Sequence, residues 1–186
     1  MLQGQQDGQL TDLGTRQATA LGRRLLTVHF DAVYCSDLKR CRDTLAAMLP
    51  HQPAAFDPRL REKSSGIFEG GPIDAVDKEA IRQGIPAEDF CPEAGESWLD
   101  VRRRCESFLS DLTAHHLATE RPTKVLVVSH CGLIMELVEV IVGWAGGVQG
   151  RRPVCRNASL GVLRLEKAER GNRVEELVWN DTSHLG

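Results

Sequence analysis

The sequence lacks the features that mark several large protein classes. It has no run of about 18 consecutive apolar residues, which a membrane-spanning helix needs. Its N-terminus has neither a basic nor an apolar segment, so no secretory signal is predicted. Its six cysteines form no C-x-x-C pair and have no cysteine–histidine spacing typical of zinc sites. We therefore expect free thiols, no metal or other cofactor, and a cytoplasmic protein without a membrane partner.

The sequence also lacks a strong excess of charge of either sign. Lys and Arg number 23 and Asp and Glu 26, so the net charge is −3 and no nucleic-acid partner is predicted. Of three basic runs, DLKRCRD, DVRRRC and GRRPVCR, the last two are interpreted as solvated helix faces or loops. With 186 residues, 41% of them hydrophobic, we expect a single domain over residues 1–186 with a real core. No oligomeric state is predicted.

Helix and strand signals alternate along the first third of the chain. Thr11 is the predicted N-cap of a helix over DLGTRQATALGRRLLTV. Its apolar residues are predicted to form one stripe: Leu13, Ala18, Leu21, Leu25 and Leu26. A short strand is predicted near Asp31–Cys35. Ser36 is predicted to cap a second helix, DLKRCRDTLAAML, which ends before Pro50.

The remaining segments continue this alternation after a loop-rich stretch from about residue 51 to 92. That stretch is predicted to hold one short helix near Asp74–Arg82. Ser97 and Asp100 form a predicted capping box for a helix from Trp98 to about Leu117. TKVLVVSH is a predicted central strand and GLIMELVEVIVGW a helix, and SLGVLRL and VEELVW form a predicted hairpin. The pattern predicts an α/β domain with a largely parallel sheet and an antiparallel edge.

Three polar residues follow the predicted strands or lie in the loop-rich region. In such sheets, ligands bind outside the carboxyl ends of the strands. His130 ends one strand, Arg40 begins the helix after the other, and Glu62 lies in the loops. Alone, each has an ordinary explanation: a structural histidine, a solvated arginine and a surface ion pair. Together they indicate an anion site with a proton donor, which suggests phosphoryl chemistry.

Six sequence blocks then identify a family resemblance. They are QGQQDGQLTDLGTRQA, VYCSDLKRCRDT, PRLREKSSGIFEG, GESWLDVRRR, VLVVSHCG and NASLGVL. In this order, they resemble the histidine phosphatase superfamily, which has the phosphoglycerate mutase-like fold. The resemblance covers nearly the whole chain from Gln3 onward. It implies a three-layer α/β/α fold and a metal-free mechanism in which a histidine forms a phosphohistidine intermediate that water hydrolyses.

The resemblance also implies a role for particular residues. Arg40 matches the arginine that binds the phosphoryl group. Glu62 matches the glutamate that protonates the leaving oxygen and then helps to activate water. His130 matches the second histidine of the family, which stabilises charge on the phosphoryl group. Gln3 and Gly4 match positions that line the substrate pocket.

The sequence departs from the family pattern at two places. The usual S-H-G block reads S-H-C-G, so that Cys131 precedes Gly132. We assign Gly132 to the substrate site, and Cys131 is interpreted as a tolerated small residue. No R-H-G block, which carries the nucleophilic histidine at the end of a first central strand, occurs in the sequence. We therefore expect that this strand is missing by truncation or a misassigned start, and that catalysis is impaired.

Three functions are compatible with these residues. The first is a phosphatase of small phosphorylated metabolites such as sugar phosphates, favoured by the short segment GIFEGGPIDAV after Glu62. The second is a phosphoglycerate mutase-like isomerase. The third is a pseudoenzyme that binds phosphorylated ligands without turning them over. In each case the expected partner is a small phosphorylated molecule.

Overall fold

The computed structural model describes residues 1–118, 121–147, 154–168 and 171–186. Part of the GRRPVCR run and part of the predicted hairpin turn lie outside these ranges. The helices are α1 (Asp12–Leu25), α2 (Lys39–Met48), α3 (Ala75–Gln83), α4 (Trp98–His116) and α5 (Cys131–Trp144). The strands are β1 (Ala32–Cys35), β2 (Ala55–Phe56), β3 (Val125–Val128), β4 (Leu160–Glu166) and β5 (Arg173–Asp181). Among the described residues, no helix is both long and apolar enough to span a bilayer.

The strands form two sheets in the described part of the chain. β1 lies in the centre of a parallel sheet with the order β2-β1-β3, and Tyr34 pairs with Ala55 on one side and Val127 on the other. β4 and β5 form a separate antiparallel pair. The parallel sheet and the hairpin are thus confirmed. The prediction that the hairpin forms an edge of the same sheet is wrong for the described residues.

Helices cover both faces of the parallel sheet. Because side chains alternate along a strand, Val33 and Cys35 point to one face and Tyr34 to the other. On the first face, α1 and α2 supply buried residues: Leu21, Leu25, Cys41, Leu45 and Met48. On the second face, α4 and α5 supply others: Val101, Phe108, Leu109, Leu133, Leu137 and Ile141. The result is the three-layer α/β/α arrangement that the resemblance implies.

β3 is less enclosed than predicted. Of its four residues, only Val128 is buried, although the continuous apolar run predicted a central strand covered on both faces. In the described part of the chain β3 has a strand partner on one side only, namely β1. Both core clusters nevertheless extend to the hairpin, because Leu126 and Leu160 pack on one cluster and Val127 and Leu163 on the other. Among the described residues, the second edge of β3 therefore has no backbone partner and is an open edge of the sheet.

The predicted caps are confirmed at two helices and wrong at one. The Thr11 hydroxyl accepts a hydrogen bond from the Gly14 N–H at 3.1 Å. Ser97 and Asp100 form the capping box of α4. Ser36, by contrast, does not cap α2, which begins at Lys39 with Leu38 as its N-cap residue.

The apolar stripe of α1 is narrower than predicted. Ala18, Leu21 and Leu25 are buried, but Leu13 and Leu26 are 56% and 80% exposed. Successive helical residues are 100° apart, so the side chain of Leu26 points well away from that of Leu25. Leu13 lies five residues before Ala18, which places it on a different side of the helix. The prediction that they lie on the same stripe is wrong for these two leucines.

Two glycines in α1 allow a matched test of the α1–α2 contact. A Cβ on Gly22 would lie 2.2 Å from the Met48 carbonyl oxygen, whereas a Cβ on Gly14 would meet its nearest neighbour, in Leu10, at 3.4 Å. We expect Gly22→Ala to lower the free energy of unfolding by about 1–3 kcal/mol, because the helices must separate. Gly14→Ala should change it by at most about 1 kcal/mol and in the stabilising direction. Urea unfolding of both variants measures this, and equal effects would contradict the close contact.

Candidate active site

The site lies at the carboxyl end of the parallel sheet. β1 ends at Cys35 and β3 at Val128, and because the strands are parallel neighbours, the residues that follow them meet. Ser36 and His130 are both buried there. Arg40 reaches the same place from the first turn of α2.

Arg40 is fixed by three hydrogen bonds. Its Nε donates to His130 Nδ1 at 3.0 Å, Nη1 to the Gln6 carbonyl at 2.9 Å and Nη2 to the Gly4 carbonyl at 2.7 Å. A guanidinium carries five N–H groups, so one on each η nitrogen is left without an acceptor among the contacts of the described residues. Two such N–H groups form a fork that can hold a phosphate or carboxylate.

His130 is a neutral imidazole with both nitrogens engaged. It is 7% exposed, and burial, together with the Arg40 charge, lowers its pKa to about 3. Arginine cannot accept a hydrogen bond, so Nδ1 is the acceptor and Nε2 carries the proton. Nε2 donates to the Ser36 hydroxyl at 2.8 Å, and the Cys41 sulfur lies 3.4 Å from the same nitrogen.

Glu62 contacts the start of α5 and does not form the surface ion pair considered above. Its Oε2 accepts from the Gly132 N–H at 3.0 Å and its Oε1 from the Lys63 N–H at 2.9 Å. Free N–H groups and the positive end of the helix dipole favour an anion here. A Cβ on Gly132 would lie 2.6 Å from Glu62 Oε1 and 3.0 Å from the Trp98 ring. Glycine is thus required for the close approach.

The two N-terminal candidates differ in their link to the site. Gly4 is buried, and its carbonyl holds Arg40. Its φ of +53° favours glycine, and a Cβ would collide with the Glu69 carboxylate. Gln3 instead packs its side-chain amide over Gly8 and accepts from the Gln6 N–H through its carbonyl. The structure therefore joins Gly4 to Arg40, whereas the contacts of Gln3 are local.

Sequence reasoning missed the residues that join the loops around the site. Gln5 donates its side-chain amide to the Glu62 carbonyl at 3.0 Å, and its backbone N–H to Glu69 Oε1 at 2.9 Å. Glu69 Oε1 also accepts from the Ser64 hydroxyl and the Ser65 N–H. These contacts span up to 64 residues in sequence, and no local pattern indicates them.

Arg104 was wrongly interpreted as part of a solvated face. It donates to the carbonyls of Arg59 and Arg61, both at 2.6 Å, and pairs with Glu96 at 3.0 Å. A signal for this existed, because Arg104 stands three residues after Val101 and four before Phe108. Both neighbours are buried, so Arg104 lies on the inner side of α4.

Lys63 is a second cation that the sequence did not reveal. Only 7% of it is exposed, and burial lowers its pKa. Its ammonium lies 5.7 Å from the centre of the Trp98 ring, within the range of a cation–π contact. Because Trp98 also touches the Gly132 position, Lys63 adds positive charge behind the Glu62 side of the site.

The other five histidines have different surroundings. His116 bonds to the Tyr34 hydroxyl at 3.0 Å, and His184 to the Ala158 carbonyl at 2.9 Å. His29, His51 and His115 are exposed. In the part of the chain that the structure describes, no group of three or more His, Cys, Asp or Glu residues is arranged to hold a metal ion.

Known proteins resemble this chain over most of its length. The pattern of the Histidine phosphatase superfamily (branch 1) matches residues 1–182. A broad-specificity phosphatase of Saccharomyces cerevisiae is 31% identical over 195 residues, which cover 100% of this chain and 80% of the yeast protein. The fructose-2,6-bisphosphatase TIGAR B of Danio rerio is 37% identical over 119 residues, which cover 60% of this chain and 46% of that protein. The chain thus matches only about half the length of the TIGAR-type relatives.

Solved structures show the same fold. A mycobacterial glucosyl-3-phosphoglycerate phosphatase in complex with inorganic phosphate has a TM-score of 0.79 at 28% identity, covering 100% of this chain and 93% of that one. Bacillus stearothermophilus YhfR has a TM-score of 0.79 at 26% identity, covering 100% and 91%. Together with the matched family pattern, these likenesses show that the chain belongs to the histidine phosphatase superfamily.

Proposed function

We propose that the chain is a phosphatase of the histidine phosphatase type that hydrolyses small phosphorylated metabolites such as sugar phosphates. The observation that carries the proposal is the Arg40 guanidinium, which three hydrogen bonds fix beside His130 and which keeps one further N–H group on each η nitrogen. Relatives named as phosphatases support it, including one that is 31% identical over the whole chain. No name of a relative or solved structure given above contains the word mutase, so the isomerase alternative gains no support from these names.

The roles proposed for the site residues combine the family resemblance with the contacts described above. Arg40 binds the phosphoryl oxygens through its two remaining N–H groups. Glu62 protonates the leaving oxygen and then helps to activate water. His130 holds the Nε side of Arg40, and the role that the family resemblance implies for it, stabilising phosphoryl charge, stays a prediction. Gly4 orients Arg40 through its carbonyl, and Gly132 leaves room for the Glu62 carboxylate.

The nucleophile is the part of the mechanism that these 186 residues do not supply. A phosphohistidine intermediate needs a second histidine beside the phosphate, and the sequence contains no R-H-G block. We propose that such a strand, where a longer chain carries it, pairs with the open edge of β3. The 186-residue chain alone then binds phosphate without efficient turnover, which is the pseudoenzyme alternative.

A generic substrate can distinguish an active phosphatase from a pseudoenzyme that only binds phosphate. Hydrolysis of p-nitrophenyl phosphate is measured for the 186-residue chain and for a chain that includes any coding sequence found in frame upstream. Loss of a covalent nucleophile costs about 10⁴–10⁶-fold in rate, so the shorter chain should be slower by that order. Equal and substantial rates in both chains would show that the proposed nucleophile is wrong.

Replacement of Arg40 should abolish phosphate binding. In the 186-residue chain, inorganic phosphate at ten times its Kd should raise the Tm by roughly 3–6 °C. Arg40→Ala should remove this shift because the fork is lost. Arg42→Ala is the matched control, since Arg42 is an exposed arginine of the same helix that stacks on Phe56. An unchanged shift in Arg40→Ala, or an equal loss in Arg42→Ala, would contradict the site.

Glu62→Gln should separate catalysis from folding. The amide keeps an oxygen that can accept from the Gly132 N–H, but it cannot donate a carboxylic acid proton. In whichever chain shows turnover, we expect kcat to fall by about 10²–10⁴-fold, with little change in the phosphate-induced Tm shift. Steady-state kinetics measure the first effect. Full activity of the variant would exclude Glu62 as the proton donor.

His130 should make stability depend on pH. In the folded protein the pKa of His130 is lowered from the ordinary 6.5 to about 3. The neutral ring therefore stabilises the folded protein fully above pH 6.5, and this stabilisation is lost as the pH falls towards 3. We expect the free energy of unfolding to decrease by about 1–2 kcal/mol between pH 7 and pH 5 because of this group. His130→Asn, whose amide oxygen can still accept from Arg40, should show a smaller decrease. An NMR titration of His130 with a pKa near 6.5 would contradict the assignment.

A further inference from the structure

Glu62 lies in an irregular part of the chain. A single 3-10 turn, Pro58–Leu60, precedes it, and residues 61–65 are irregular. The backbone groups of such a segment gain no partners from a helix or a sheet, so they need other partners where water is excluded. The groups that supply these partners therefore decide where the Glu62 carboxylate lies.

Three consecutive carbonyls before Glu62 accept hydrogen bonds from side chains. Arg104, in α4, donates from Nη1 to the carbonyls of Arg59 and Arg61, both at 2.6 Å. An η nitrogen carries two N–H groups, so one is available for each carbonyl. The Ser129 hydroxyl, which precedes α5, donates to the Leu60 carbonyl at 2.7 Å. The segment is thus held by α4 on one side and by the loop before α5 on the other.

The backbone after Glu62 is held by the carboxylate that pairs with Arg104. Glu96 Oε1 accepts from Arg104 Nε at 3.0 Å, and Glu96 Oε2 accepts from the Ser64 N–H at 2.8 Å. The Gln5 side-chain amide donates to Glu96 Oε2 at 3.3 Å and to the Glu62 carbonyl at 3.0 Å. One ion pair therefore holds the backbone on both sides of Glu62.

The surroundings of Arg104 differ from those of the arginine before it. The side chains of Arg104 and Glu96 are only 14% and 22% exposed, so solvent and salt screen their hydrogen bonds little. Arg103 is 73% exposed and pairs with Asp100 at 2.9 Å, an arrangement that contributes little to stability. Two adjacent arginines of one helix thus offer a matched comparison.

We propose that Arg104, paired with Glu96, is a positioning residue for Glu62 and thereby sets how well the protein hydrolyses alkyl phosphates. The inference rests on the proposed function. As the nucleophile bonds to phosphorus, the bond from phosphorus to the leaving oxygen breaks, and the electron pair stays on that oxygen and takes up the Glu62 proton. An alkoxide is strongly basic and needs this proton, whereas p-nitrophenolate leaves as an anion. Misplacement of Glu62 therefore penalises alkyl phosphates selectively.

The first experiment compares two leaving groups in Arg104→Lys. Lysine keeps a positive charge opposite Glu96, but its ammonium lacks the planar fork that reaches two carbonyls and a carboxylate together. In whichever chain shows turnover, we expect kcat/KM for glycerol 3-phosphate to fall about 10–100-fold, and that for p-nitrophenyl phosphate at most about threefold. Arg103→Lys should leave both values unchanged. An equal loss for both substrates, or the same selective loss in Arg103→Lys, would overturn the inference.

The second experiment needs no activity. Glu62 Oε2 accepts from the Gly132 N–H at 3.0 Å, so amide hydrogen exchange at Gly132, followed by NMR in the 186-residue chain, reports the position of the carboxylate. Arg104→Lys should accelerate this exchange about tenfold, because the hydrogen bond is lost. Exchange at Leu137, farther along the same helix, should not change. A general loss of stability would accelerate both amides alike and would overturn the inference.

The two experiments distinguish failure of the positioning role from failure of the proposed function. Faster Gly132 exchange in Arg104→Lys without turnover in any chain would support the positioning role and contradict the phosphatase. Unchanged Gly132 exchange in a folded Arg104→Lys would overturn the inference whatever the activity. If Arg104→Lys does not fold, Glu96→Gln replaces it, since its amide oxygen can still accept from the Ser64 N–H while the charge that holds Arg104 is lost. The same selective loss is expected there, and an equal loss for both substrates would again overturn the inference.

Discussion

The contact between Arg40 and His130 is the interaction on which the site depends. It joins the helix after β1 to the residue after β3, and the two other bonds of Arg40 add the N-terminal loop through Gly4 and Gln6. The cation is partly buried, and three acceptors compensate for much of its lost hydration. Because Arg40 can only donate, it fixes the tautomer of His130 and keeps that ring neutral. The remaining N–H fork is thereby held in one orientation before any ligand arrives.

Two carboxylates organise the other side of the site. Glu62 satisfies an N–H group at the start of α5, and Glu69 binds the backbone of Gln5 and Ser65, which lie on separate loops. The Gln5 side chain then joins the two systems through the Glu62 carbonyl. The position of Glu62 is therefore set by a network that includes the N-terminal loop. A side chain at Gly4 would collide with the Glu69 carboxylate, so a change there would alter the positions of both the arginine and the glutamate.

Much of the fold and part of the site could be predicted from sequence, because both follow from local patterns. The strand ends at Cys35 and Val128 fix where Arg40 and His130 lie. Ser36 was wrongly assigned because a serine before a helix is typical of an N-cap, whereas its hydroxyl here accepts a hydrogen bond from a histidine 94 residues away. The Glu69 contacts depend on tertiary structure in the same way. Arg104 was predictable, since its spacing from Val101 and Phe108 places it on the inner side of α4.

The division of the strands into two sheets shows which forces hold each part. The parallel sheet and the hairpin share no backbone ladder in the described residues, yet Leu126 with Leu160 and Val127 with Leu163 pack on common clusters. Hydrophobic packing is non-directional, so it can keep the hairpin near β3 without fixing its register. The directional contacts lie elsewhere, in the hydrogen bonds of Arg40 and in those of Glu62. Catalytic geometry therefore depends on these polar contacts at the carboxyl end of the parallel sheet.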